Sequence, residues 1–147
     1  MKAAFTSLPE HVVTLSRDTG EVDDDGKPVK VSVAFTLRPY PAGFPQFITN
    51  VYPAPVAFVN SEPVEDKTKA RTHELRTAIV LLARCLGEQL DTNAPTANGA
   101  RAAWDDYAVA VLGEMTAANL VQGDIDSLLS GMFLVNRGAG RLGKANS

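Results

Sequence analysis

Val29, Val31, Val33, Phe35 and Leu37 alternate along the chain with Lys30, Ser32, Ala34, Thr36 and Arg38. Successive side chains of a strand point to opposite faces, so this period of two predicts a strand with one buried and one wet face. Residues 11–16 are rich in Val and Thr and predict a shorter strand. Gly20, the Asp25-Gly26 pair and Pro28 mark residues 17–28 as a turn region, because glycine supplies positive φ and proline cannot donate to a ladder. Residues 1–38 therefore read as a β-hairpin or small antiparallel sheet with a long acidic loop.

The period changes to three and four beyond residue 64. Leu75, Ile79, Leu82, Leu86 and Leu90 recur at helical spacing, with Ala78 and Cys85 on the same face. Glu65 and Asp66 stand where a helix N-terminus favours carboxylates. After a loop at 91–99, Trp104, Ala108, Val111 and Met115 mark a second helix from about Ala100. Asn119 can end it in the left-handed region, with Leu120 folding back. Ile125, Leu128, Leu129, Met132 and Val135 form the apolar face of a third, for which Asp124 is the expected N-cap.

Between the two patterns lie residues 39–63, with prolines at 39, 41, 45, 53, 55 and 63 and with Phe44, Phe47, Tyr52 and Phe58 among them. A regular helix cannot run through that density of proline. The segment reads as an extended arm holding at most one short helical turn, whose aromatics either pack on the domain or dock on another molecule. The expected organisation is α+β: a hairpin region (1–38), a Pro/aromatic-rich linker (39–63), a three-helix domain (64–136) and a flexible tail (137–147).

Composition narrows the function classes. An apolar share of 45% supplies a real core, which excludes global disorder. A net charge of −3 lacks the dense basic field that nucleic acid or an anionic membrane needs in a main partner. The apolar run at 78–83 is too short to cross a bilayer. The start of the chain reaches Pro9, Glu10 and His11 without an apolar signal stretch, and Cys85 is a lone thiol, so a reducing, cytosolic setting is expected.

Each near-match to a chemical motif meets a structural objection. Gly138, Gly140 and Gly143 spell G-x-G-x-x-G, but a dinucleotide site needs a strand before and a helix after, and here a helix precedes. Glu21, Asp23, Asp25 and Gly26 resemble the start of a calcium loop, yet Ser32 stands where the bidentate Glu belongs. His11 reads as a strand-edge residue and His73 as solvated, and neither has zinc spacing. Cys85 lies on an apolar stripe and reads as a core thiol. Asp105 and Asp106 point about 100° apart on a helix, which suits a wet face rather than a shared proton. The expectation is a chain with no catalytic residues, cofactor or metal, working by contact. Its candidate contact residues are Phe44, Phe47, Tyr52, Met132 and Phe133, with core packing as the competing reading for the last two.

The order of features resembles a family. Phe35-Thr36-Leu37-Arg38-Pro39 is similar to the strand end that opens many tail assembly chaperones of long-tailed bacteriophages. Val51-Tyr52-Pro53-Ala54-Pro55, then Val59-Asn60-Ser61-Glu62 and a charged entry into a helix, follow the same order. The stretch from Asn119 to Leu129 resembles the family's closing turn and helix, with Asn119 where glycine is usual and Val121 where a capping Ser or Thr is usual. The resemblance spans roughly residues 29–136. It implies a protein made in the host cytoplasm that binds the tape measure protein, keeps it soluble, helps recruit tail tube subunits and is absent from the mature virion. It also implies an elongated form made by frameshifting, for which the codons of Leu142-Gly143-Lys144 could supply a slippery run. The alternative is a small structural tail or head–tail connector protein of the virion.

Overall fold

The computed structural model describes residues 1–96, 98–138 and 141–142. The architecture is mixed α+β, with three of its helices in the C-terminal part. It divides into two compact units, residues 1–39 with 122–147, and residues 40–121. The second and third long helices therefore belong to different units, so the expected single helical domain over 64–136 is split.

In the first unit, β1 (Pro9–Val22) and β2 (Pro28–Leu37) form an antiparallel hairpin. Its register sets His11 opposite Leu37, Val13 opposite Phe35, Leu15 opposite Val33 and Arg17 opposite Val31. Strand β1 extends through residues 17–22, which the glycine and acidic residues had marked as loop, because β2 offers partners as far as Pro28. An irregularity between Asp18 and Val22 absorbs the misfit. The turn closes on Asp23, whose carboxylate accepts the Asp25 and Lys27 amides at 3.0 and 2.8 Å, with Gly26 at φ 78°. Those bonds commit a carboxylate of the calcium-like stretch to the turn itself. Across the strand ends, Arg38 and Glu10 pair at 3.7 Å.

Helix α4 (Gln122–Asn136) packs on this sheet. It begins before the predicted N-cap, so Asp124 sits inside the first turn and pairs with Arg17 of β1. Leu128, Met132 and Val135 are buried, as are Val13 and Leu37 on the strands. Gly131 makes the close approach possible. A Cβ built there would lie 2.7 Å from the Val13 side chain, 2.8 Å from Leu37 and 3.1 Å from His11. Part of the expected flexible tail is a strand: β5 (Arg141–Leu142) pairs with Pro9 and Glu10 on the other edge of β1, where unpaired backbone groups were available. Gly140 and Gly143 lie outside the described residues.

In the second unit, the proline-rich arm is folded. Helix α1 (Phe44–Val51) places Pro45 in its first turn, where a missing N–H costs nothing. Strands β3 (Val56–Val59) and β4 (Glu62–Glu65) then make a hairpin. Asn60 and Ser61 have φ 51° and 65°, the two left-handed residues that a tight hairpin turn of the right twist demands. Helix α2 (Lys67–Leu86) is capped by Asp66, which accepts the Thr68 amide at 3.1 Å. Helix α3 (Arg101–Ala117) buries Trp104, Ala108, Val111 and Met115, as its spacing predicted. It ends as expected: Asn119 has φ 61°, the Leu120 amide reaches the Met115 carbonyl, and the Asn119 amide reaches Thr116. The α2 stripe holds for Ile79, Leu82, Cys85 and Leu86 but fails at Leu75, which is exposed, because burial on α2 begins only at Ile79. No described helix is long and apolar enough to cross a membrane.

Candidate functional site

Of the five predicted contact residues, two are not on the surface at all. Tyr52 and Met132 are buried, so neither is free to meet a partner. Met132 faces inward on α4 with Leu128 and Val135 because all three share the helical stripe that packs inside. Phe133, its sequence neighbour, points outward and is exposed. Phe44 and Phe47 are half-buried in a line of rings that runs Tyr40, Phe44, Phe47, Trp104, Tyr107, with centroids 6.0–6.1 Å apart. Arg84 lies 5.8 Å from the Phe44 ring centre. The aromatics of the arm thus anchor α1 on its own unit, at spacings where edge-to-face pairs add to simple burial.

Tyr52 belongs to a polar clasp that sequence reasoning missed. Its hydroxyl donates to Asp105 of α3 at 2.6 Å, and Arg76 of α2 donates to both oxygens of the same carboxylate at 2.7 Å. The Tyr52 hydrogen bond, then Arg76, holds the Asp105 carboxyl below its usual range. Burial, then the bond to Asp105, pushes the Tyr52 phenol up to about 12. His73 is not solvated as expected. Its ring stacks edge-on against Tyr52 at 4.4 Å, and burial, then the Arg101 charge, lowers its pKa. These groups border a cleft of about 560 Å³ in which Thr68, Lys69, Thr72 and Arg101 also take part. A distant signal was present, since Arg76 and Asp105 are opposite charges on predicted helices. Nothing local, however, tells which turns of two helices will meet.

Exposed apolar side chains mark a second feature. Helix α4 covers the β1 side of its sheet, where Val13 is buried. On the same face, β2 presents Val31 and Val33, which are 57% and 53% exposed. The predicted buried face of β2 is therefore buried only near its end, at Leu37, because α4 lies mainly along β1. Phe58, 71% exposed, stands on the β3–β4 hairpin.

Cys85 is buried, and no group of three or more His, Cys, Asp or Glu side chains is arranged to hold a metal ion among the described residues. Compared with protein families, characterised proteins and solved structures, the chain has no significant match.

Proposed function

We propose that this chain is a non-catalytic assembly chaperone of a long-tailed bacteriophage, working in the host cytoplasm. In this reading it binds the tape measure protein, keeps it soluble and helps bring tail tube subunits to it. The observation that carries the reading is the half-covered sheet of the first unit. Val31 and Val33 leave an apolar strip beside α4 on a face that a helix already occupies at β1. An amphipathic client helix laid against β2 would complete that layer, which is how apolar helical faces are commonly received. An unassembled tape measure protein would present long stretches of such faces, and many weak contacts along it would hold by avidity while remaining displaceable. The resemblance in the arm and closing turn supports the same reading, since Asn119 adopts the left-handed conformation that the family's usual glycine would take.

Co-expression with the long helical protein of the same tail gene cluster tests it. The native chain should keep that protein in the soluble fraction. The Val31→Asp, Val33→Asp double variant should lose this effect with its own thermal midpoint nearly unchanged, because both positions are exposed. A client that is equally insoluble with and without the native chain would overturn the reading. Recovery of the chain in stoichiometric amount from purified virions would replace it with that of a structural tail component.

A further inference from the structure

The cleft of the second unit has a charge imbalance that the assembly role does not use. Its one lining carboxylate, Asp105, is already taken by Arg76 and Tyr52. Asp66, at the cap of α2, is turned onto Thr68, whose hydroxyl donates to it at 2.6 Å. That leaves Lys69 and Arg101, both exposed, on opposite helices of the cleft and outside any ion pair among the described residues. Thr72 lines the same space. The charges of Lys69 and Arg101 are felt by Asp66 and Asp105, but neither cation is tied down in an ion pair among the described residues, and the lining of the cleft carries three cations against one carboxylate in a chain of net charge −3.

We infer that this cleft binds an oxyanion group, a carboxylate or a phosphate, held between Lys69 and Arg101 with Thr72 as a further donor. The Arg76–Asp105–Tyr52 clasp also lines the cleft, and its Asp105 oxygens are already engaged by the Tyr52 hydroxyl and the Arg76 guanidinium. Arg101 suits a bidentate grip on two oxygens, and Lys69 adds a mobile point charge. His73 lines the same cleft, and burial, then the Arg101 charge, lowers its pKa.

The test is an NMR titration of the full ¹⁵N-labelled chain with sodium phosphate and, separately, with sodium glutarate, ionic strength held constant with chloride. Saturable shifts are expected at the amides of Lys69, Thr72, Arg101 and Ala102. The Lys69→Gln, Arg101→Gln double variant should weaken binding roughly tenfold or more, since two charge-assisted bonds are lost. Lys69→Arg should retain it. Saturation by phosphate at lower concentration assigns the group to a phosphorylated ligand, and saturation by glutarate at lower concentration to a carboxylate. Shifts that rise linearly with either anion, that chloride alone reproduces, or that persist in the double variant would overturn the inference. Both substituted residues are exposed, so the variant's unchanged spectrum elsewhere verifies its fold.

Discussion

In the unit of β1, β2 and α4, the helix is seated by a missing side chain, whereas in the unit of residues 40–121 it is seated by the largest side chains of the chain. Gly131 lets the α4 backbone come down onto Val13, Leu37 and His11. Trp104 instead fills the space on α3 and meets Phe47 and Tyr107 edge-on. Glycine inside a helix costs roughly 1 kcal/mol against alanine, so its use at residue 131 must be offset by what the approach buries. Trp104 is 2% exposed and its indole N–H has no acceptor among the described residues, so its contribution is packing alone. The polar ties differ as well. Arg17 and Asp124 pair at the start of α4 with Arg17 45% exposed, where screening leaves such a bridge little value. Asp105 receives three hydrogen bonds from two donors and fixes Tyr52 as well as Arg76. A helix can be held equally by shape or by filled volume, but the two modes fail under opposite substitutions.

Removing volume should do the most damage where volume holds the helix. Trp104→Ala is expected to cost about 3–5 kcal/mol, read from chemical denaturation. A loss below about 1 kcal/mol would mean that the line of rings from Tyr40 to Tyr107 does not hold α3. Adding volume should do the damage in the other unit. Gly131→Ala is expected to cost about 1–3 kcal/mol although alanine is the better helix former. Faster amide exchange in β1 and β2 should accompany it, and a stabilised variant would break the comparison outright. The smallest effect belongs to the clasp. Tyr52→Phe should cost about 1 kcal/mol, less than is usual for a bond to a charged group, because Asp105 is partly open to solvent. Its pH dependence sharpens the test. The folded phenol ionises near 12 and an unfolded one near 10.0, so the stabilisation is whole below pH 10 and disappears as pH rises toward 12. Thermal midpoints of the native chain and the variant should therefore converge across that window. A constant gap would show that the hydroxyl is not the proton-linked group.

The local pattern was legible wherever a short-range rule applies. The period of two located β2, the spacing of Trp104, Ala108, Val111 and Met115 located α3, and Asn119 closed it as its tolerance of positive φ predicts. The proline count misled over residues 39–63, because it argues against a long helix but permits α1, with Pro45 in its first turn, and a tight hairpin beyond. Of the site, the sequence offered Tyr52 as a partner-binding aromatic and Asp105 as a wet carboxylate. Tyr52 is instead buried, and Asp105, though partly open to solvent, is engaged by Arg76 and Tyr52 where α2 and α3 meet.

The sequence by itself determined the α+β class, the stripe of α3, the end of α3 and the core position of Cys85, since each follows from φ, ψ and side-chain direction within a few residues. Only the tertiary structure decided that α4 belongs with the hairpin rather than with α2 and α3, that Val31 and Val33 stay uncovered, and that Asp105 is clasped by Arg76 and Tyr52. Those outcomes depend on which faces meet across long stretches of chain. A periodic pattern states that a face wants burial, but it carries no information about the partner that will bury it.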